Sequence, residues 1–468
     1  MASSVLAAGA KIQSHTRDNG DTYIESDSYP GMSHPASTTP TSQSRNTQET
    51  SAPRANDWRV LLIVFTLAGV IESQAFGHLN AFRPLFLQQL GVPANQLAIW
   101  TGVLASIGFV IGLPLLPFWG AWADRYNRKL IIVRSAYVEG VIFSLAALSP
   151  NVWYLAVAQL LGGFVFGNTG VMLALMADIT PRKRLGLAVG VVSAGFPIGS
   201  SVGPLIGGYV AQTFGIRPLL FGDAIASALI GVVMTLIVRE HRPSGAGQTP
   251  VGTLLRRAVD DIFSSRVIVN LFGLYFLAML GISIYQQFLP LLLQHLYRGP
   301  ISQLPSMIGA TLTASGIAMA IMTPLWGRLG DSMGRWRILP IVTLAMTLGI
   351  AAEGLAPTLF PLQVSIVWIG LFMGGLGTTV VALLALLAPL ERRASILNFS
   401  LMPSQFSWFL GPLIGGGLAS LSLRLPFFVG AGAQAAALAL AILLARRAGR
   451  SSATHEPQHE EVGQGAAF

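Results

Sequence analysis

The sequence predicts an all-α membrane protein of twelve transmembrane helices, arranged as two pseudo-symmetric six-helix bundles. Three observations carry this. Of 468 residues, 52% are hydrophobic and only 10% charged, whereas a soluble domain carries about 25% charged residues. Apolar runs long enough to cross a bilayer recur from Trp58 to Arg446. The second half of the chain also echoes the first. Lipid offers no partner to backbone N–H and C=O groups, so only helices and closed barrels cross it. Runs such as "LLIVFTLAGVI" lack the alternation of a barrel strand.

Residues 1–57 are rich in Ser, Thr, Pro, Asn and Gln and are expected to form a disordered tail. Within them "VLAAGA" is too short, and lacks the preceding positive charge, for a signal peptide. Residues 58–238 are expected to form the first bundle, with spans near 59–88, 96–119, 130–149, 152–177, 185–211 and 217–238. A charged linker, residues 239–266, follows, with a short interfacial helix around "LLRRAVDDIF". Residues 267–446 form the second bundle, with spans near 267–294, 302–326, 338–357, 361–388, 394–421 and 425–445, and residues 447–468 a second disordered tail.

Charge sets the predicted orientation. One set of loops holds clusters: Arg125, Arg128 and Lys129; Arg182, Lys183 and Arg184; Arg239, Arg242, Arg256 and Arg257; Arg328, Arg335 and Arg337; Arg392 and Arg393; Arg446, Arg447 and Arg450. The alternate set holds mainly Arg83, Arg217, Arg298 and Arg424. Lys and Arg gather on the cytoplasmic side, so both termini are predicted to be cytoplasmic. The net charge of +9 is read as this topology signal and not as a nucleic-acid surface. With no cysteine, disulfides and thiolate chemistry are excluded.

The repeat spans whole halves. "PLFLQQL" from Pro84 matches "PLLLQHL" from Pro290. "PFWGAWAD" from Pro117 matches "PLWGRLGD" from Pro324. "GPLIGG" from Gly203 recurs unchanged from Gly411. The offsets are 206, 207 and 208 residues. A parallel repeat of this kind relates two bundles by an axis along the membrane normal, with a cleft between them.

From these residues the chain resembles the major facilitator superfamily over roughly residues 58–446. "GAWADRYNRK" is similar to that family's loop motif, G-x-L-x-D-R-x-G-R-[KR], at Gly120, Asp124, Arg125, Arg128 and Lys129, with a weaker copy at Gly327, Asp331 and Arg335. Trp122 replaces Leu, and Asn127 replaces the second Gly. Asn tolerates a left-handed backbone, so the turn is expected to survive. "GFPIGSSVGPLIGG" resembles the fifth-helix motif of drug:proton antiporters. Gly195, Gly199, Gly203 and Gly207 recur every fourth residue and therefore share one helix face, where a neighbour can approach closely. Pro204 can bend that span, and Gly411 and Pro412 stand at the matching place in the second half. Plain helix packing accounts for these glycines about as well as any export-specific role. Those antiporters often carry Arg in the fourth helix, within L-x-x-R-x-x-x-G. Here "AVAQLLGG" places Gln159 there, which supplies no fixed charge.

The resemblance implies a cytoplasmic latch made by Asp124, Arg125 or Arg128 with Asp178, with Gly120, Lys129, Asp331 and Arg335 as further gate candidates, against the alternative that Arg and Lys serve only as topology signals. Charge-assisted hydrogen bonds of about 1.5–3 kcal/mol each suit a gate that must hold and release. It also implies that the first, fourth, seventh and tenth helices line the cavity. Acidic residues inside spans are costly and need a reason. Glu72 lies 13 residues beyond Arg59, about 20 Å along a helix, near mid-membrane. It is the leading candidate for binding a proton or a cationic substrate, against the alternative of a carboxyl hydrogen-bonded to its neighbours. Gln74, His78, Gln159, Asn168, Tyr275, Tyr285, Gln286 and Thr378 complete the candidate cavity set, with packing as the competing role for each. Glu139 is expected to serve packing, and Asp223 and Glu353 to be satisfied near the outer surface by water or Arg217.

The expected function is secondary active transport by alternating access, with proton-coupled efflux of lipophilic or cationic small molecules. The expected partners are a small-molecule substrate, protons and the lipid bilayer, for a monomer in the cell membrane. No cofactor, no metal and no nucleic acid are expected, and no nucleophile motif or P-loop points to an enzyme or to ATP-driven transport. A facilitator or exporter of a small polar metabolite such as a sugar remains an alternative, favoured by Gln159. A non-transporting membrane sensor is the alternative of another class.

Overall fold

The computed structural model describes residues 57–125, 127–239, 265–389 and 402–453, with a few isolated positions between them and residues 15–16 and 22–23 near the start. The linker segment "LLRRAVDDIF" lies outside the described residues apart from Phe263, as do most of residues 1–57 and residues 454–468. Met1–Arg54 forms one compact unit and Ala55–Phe468 another. The first contains an antiparallel pair of two-residue strands, β1 (His15–Thr16) and β2 (Thr22–Tyr23), with His15 opposite Tyr23, in a stretch expected to lack structure.

The second unit is helical. In the first half α1 is Trp58–Gln89, α2 Ala94–Arg125, α3 Arg128–Leu148, α4 Val152–Leu161, α5 Asn168–Ile179, α6 Leu185–Thr213 and α7 Ile216–Ile237. In the second half α8 is Arg266–Gln286, α9 Leu289–Leu296, α10 Leu304–Met333, α11 Arg335–Leu355, α12 Leu359–Leu387, α13 Met402–Leu421 and α14 Leu425–Ala453. Among the described residues, 11 helical spans are long and apolar enough to cross a bilayer. α13 is the described part of the predicted span 394–421 and takes the eleventh place in the order. Short polar side chains start several helices by accepting otherwise orphaned N–H groups. The Asp57 carboxylate accepts from the Arg59 amide at 2.9 Å, and Asn151 Oδ1 from the Trp153 and Tyr154 amides at 3.1 and 3.2 Å.

The fourth span is broken between α4 and α5. Gly162–Val165 forms a 3-10 turn, and Gly167 has φ 91°. A side chain at Gly163 would collide with the backbone of Gly108 and Gly112 on α2, and one at Gly167 with Trp119. Glycine is what permits both the left-handed turn and the close approach. The equivalent span of the second half, α12, runs unbroken. The seventh span is instead interrupted at Gln287–Phe288 between α8 and α9, where Pro290 fits the first turn of α9. Pro84, its match in the first half, sits inside the continuous α1.

The glycines of α6 pack on α1 in a matched register of four. Space for a side chain is denied at Gly195 by Thr66, at Gly199 by Val70, at Gly203 by Gln74 and at Gly207 by His78. In the second half Gly411 of α13 meets Ser283 of α8. The halves themselves meet along α6–α10 and α2–α13, which are equivalent pairs under the repeat. Gly309 of α10 abuts the carbonyl of Pro204, and Gly102 of α2 abuts the carbonyl of Pro412. Gly208 and Gly416 extend these crossings against Pro305 and Ala98. Among the described residues, these crossings lie in the halves of the four helices remote from the basic loops.

The repeat extends to hydrogen bonds that no motif announced. Arg217 donates to the carbonyls of Ala147 and Ser149, both at 2.8 Å. Arg424 donates to those of Gly354 and Ala356 at 3.0 and 2.8 Å. Each arginine satisfies the open C-terminal carbonyls of the third helix of its own half. Gln88 and Gln294, also repeat mates, exchange a reciprocal pair of amide hydrogen bonds at 3.0 and 3.1 Å.

Candidate functional site

α1 carries the polar groups that reach furthest into the first bundle. Glu72 is half-buried on α1, and Nδ2 of Asn168 donates to its Oε2 at 3.2 Å. Asn168 opens α5 just beyond the break, so the broken span delivers a polar side chain to the carboxyl where an unbroken helix would spend that backbone on regular turns. Asn168 Oδ1 and Gln159 Nε2 are buried without a hydrogen-bond partner. Gln159 ends α4 on the other side of the same break. Glu72 and Asn168 together offer a carboxyl and an amide, suited to a cation or a proton and to polar substituents.

Several candidates are placed elsewhere. His78 does not line a cavity: it is buried, its Nδ1 lies 3.0 Å from both carboxylate oxygens of Asp223, and its Nε2 lies 2.8 Å from the carbonyl of Gly203. Asp223 is therefore neither near water nor held by Arg217; it is 3% exposed and committed to His78. Glu353 is also enclosed, at 1% exposed, and faces the Tyr285 hydroxyl. Tyr285 packs into the second bundle against Phe427, ring centroids 5.1 Å apart, and is a core residue. Thr378 bonds back to the carbonyls of Gly374 and Gly375 on its own helix. Gln74 is half-buried beneath Gly203, Gln286 is half-buried with Oε1 unpartnered, and Tyr275 faces Ser404 of α13.

At the basic end, Arg128 forms an ion pair with Asp178. The pair ties the start of α3 to the end of α5 within one half. Lys129 Nζ donates to the Thr235 carbonyl at the end of α7 at 2.7 Å. Gly120, Asp124 and Arg125 fall on the last turns of α2, and their side chains lie outside the described residues. Asn127 is not left-handed: its φ is −164°, and its Oδ1 caps α3 by accepting from the Lys129 amide at 2.8 Å. The Gly at the same place in the second copy, Gly334, does adopt φ 89°. There Asp331, near the end of α10, and Arg335, at the start of α11, form an exposed pair at 2.6 Å across the Gly334 turn.

Two arginines were not read as site residues. Arg83, expected in a loop, is inside α1 and 3% exposed. Its Nη1 donates to Gln287 Oε1 at 2.9 Å, across the two halves, and its Nη2 to Asn80 Oδ1 at 2.7 Å. Arg134 lies six residues inside α3, stacks 3.5 Å over the Trp119 ring and donates to the Phe166 carbonyl in the break of the fourth span. An arginine deep inside an apolar run was the available signal for both. Among the described residues, no group of three His, Asp or Glu side chains is placed to hold a metal.

Two six-helix bundles, a shared interface of paired glycine crossings and polar groups at mid-membrane define a secondary transporter, a protein that moves a small-molecule substrate without catalysing a reaction. The family model described as Major Facilitator Superfamily matches residues 65–305 and 301–466, and the chain belongs to that superfamily. It is 31% identical over 391 residues to the multidrug resistance protein MdtG of Yersinia enterocolitica, covering 81% of this chain and 92% of that one. It is 29% identical over 389 residues to MdtG of Escherichia coli, covering 81% and 94%. Among solved structures, the nucleoside transporter NupG aligns with a TM-score of 0.67 at 16% identity, covering 82% and 98% of the two chains. A bacterial homologue of the human lysosomal transporter Spinster aligns with a TM-score of 0.64 at 16% identity, covering 85% and 97%. These structures share the fold.

Proposed function

We propose that this transporter exports lipophilic or cationic small molecules in exchange for protons, with Glu72 as the coupling acid. The observation that carries this is the Glu72 carboxyl: mid-span, half-buried, and partnered by the neutral amide of Asn168 at 3.2 Å. A carboxylate in such a place is stabilised by taking either a proton or a cation, which is the competition an antiporter uses. The relatives named as multidrug resistance proteins support export of drug-like compounds. Excess positive charge assigns the basic end and both termini to the cytoplasm. The glycine crossings then close the outer face, and this conformation opens inward. Arg128 and Asp178, with Asp124 and Arg125, form the inner gate, acting by fixing α3 against α5.

The test is uptake of tetraphenylphosphonium into proteoliposomes, with and without an imposed pH gradient. The gradient is expected to drive accumulation in the parent protein, and Glu72→Gln to abolish that drive. Equal coupling in the mutant removes Glu72 from the role. A second reading, movement of a small polar metabolite by a facilitator, is favoured by the unpartnered amide of Gln159. It predicts equilibrating flux that no gradient concentrates.

A further inference from the structure

The first bundle buries more ionisable groups than a single coupling acid requires. Glu139 on α3 is 3% exposed, and its Oε1 has no hydrogen-bond partner. Phe76 of α1 and Phe143 of α3 meet edge to face with centroids 5.6 Å apart. The two helices run in the same direction, and Glu72 and Glu139 each lie one turn before those rings. The matched register sets the two carboxyls at one level of adjoining helices, and the contact of Ala224 with Gly140 brings Asp223 to that level. Gly140 rests against Ala224 and Ala228 of α7, which brings Ser227 toward Glu139.

Of the elements packed on α3, α1 and α7 bring ionisable groups to the level of Glu139. α1 brings Glu72 and His78, and α7 brings Asp223. α4 and the Gly162–Val165 turn bring no charged side chain. The charged residues of α2 and α5, Asp124, Arg125 and Asp178, lie at the basic end. His78 Nε2 faces a carbonyl, an acceptor only, and so carries a hydrogen. The gap between Nδ1 and Asp223 then holds one further proton, and the His78–Asp223 pair is neutral overall. Glu72, held by Asn168, and Glu139, with Oε1 unpartnered, are the carboxyls of the cluster not committed to His78.

The repeat shows that packing does not require these carboxyls. The positions matching Glu139, His78 and Asp223 hold Met346, Ile284 and Gly430. Ser227 is matched by Gln434, whose Nε2 contacts the Met346 sulfur at 3.8 Å. The second bundle closes the same helix contacts with no ionisable group at these four positions, its buried Glu353 and Tyr285 standing elsewhere in the repeat.

We propose that Glu139 is a second coupling residue, forming with Glu72 a carboxyl pair that shares a single negative charge. This rests on the coupling role given to Glu72 above. When a cation occupies the site the charge sits on Glu72 and the proton stays on Glu139. When the cation leaves, the remaining proton passes between Glu139 and Glu72 so that both share the charge, until a further proton from the cavity water makes the pair neutral. A proton passing between the two carboxyls converts one acid to its carboxylate and the other carboxylate to its acid. Two like charges in one partly buried site disfavour each other, so the pair titrates as a unit.

Infrared titration of the carboxyl C=O stretch in reconstituted protein reads this without any substrate. Glu139→Gln is expected to remove one band and to move the midpoint of the Glu72 band by about one pH unit or more. Glu139→Asp restores a paired titration. A Glu72 midpoint indifferent to Glu139→Gln overturns the proposal. Loss of coupling in Glu72→Gln with full coupling in Glu139→Gln also overturns it, and leaves the Glu72 reading standing. Should Glu139→Gln not fold, dicyclohexylcarbodiimide labelling of the parent protein serves, because that reagent attacks protonated buried carboxyls. At a pH where the pair carries its one shared charge, tetraphenylphosphonium draws that charge to Glu72, so raised labelling of Glu139 supports the pair and unchanged labelling overturns it.

Discussion

Asp223 reaches His78 across 145 residues of sequence, and both side chains are sealed from solvent. Neither position carries a signal of the other, which is why the sequence assigns Asp223 to the outer surface and His78 to the cavity. Side-chain direction around a helix that is apolar on every face is not legible from spacing, because hydrophobicity marks no inner side. Glu72 was legible, since depth follows from counting residues along a span, but its partner Asn168 was selected only by the break at Gly162–Gly167. Arg83 was misplaced for the same reason: α1 continues through Pro84 and carries the guanidinium inward. Breaking a buried pair by removing one partner costs roughly 3–5 kcal/mol. Asp223→Ala is therefore expected to lower the unfolding temperature of the detergent-solubilised protein markedly. Asp223→Asn, which keeps a hydrogen bond to Nδ1, is expected to lower it less. Equal shifts for both substitutions would show that shape, not the polar pair, holds α7 to α1.

At the scale of elements, "GPLIGG" has two distinct tasks. Its first glycine, Gly203 or Gly411, seats the helix on the first span of its own half, while the carbonyl of the following proline, Pro204 or Pro412, meets a glycine of the other half. The shared face of Gly195, Gly199, Gly203 and Gly207 was legible from the period of four. The partners Gly309 and Gly102 were not, because nothing in the sequence pairs α6 with α10 or α2 with α13 before the bundles are docked. A side chain at either position would strike backbone, which cannot yield as a flexible side chain can. Gly309→Leu and Gly102→Leu are expected to hold the outer face apart and to cut transport at least tenfold. Gly432→Leu on α14, at a glycine with open space around it, is expected to leave transport near the parent rate. Accessibility of a cysteine introduced at Ser201 to a membrane-impermeant reagent reports the opening directly. An unchanged accessibility in Gly309→Leu would mean that this crossing does not control the outer face.

For the whole molecule, hydropathy and the internal repeat made the fold legible, and the structure extends the repeat to Arg217 with Arg424 and to the Gln88–Gln294 amide pair, where equivalent residues of the two halves meet. The halves diverge where chemistry is placed. The span break falls at different levels in the two halves, and the Glu72, His78, Glu139 and Asp223 cluster belongs to the first bundle alone. If the bundles pivot about their paired crossings, one face closes as the other opens. With no native cysteine, spin labels can be placed uniquely at Gln96 with Ser422, across the outer end, and at Lys183 with Ser332, across the basic end. Electron–electron distance measurement of both pairs, at acid pH and at alkaline pH with tetraphenylphosphonium, is the most direct test. Opposite changes are expected, one pair widening as the other narrows; two distances that shift together, or that stay fixed while the substrate is transported, would contradict the pivot.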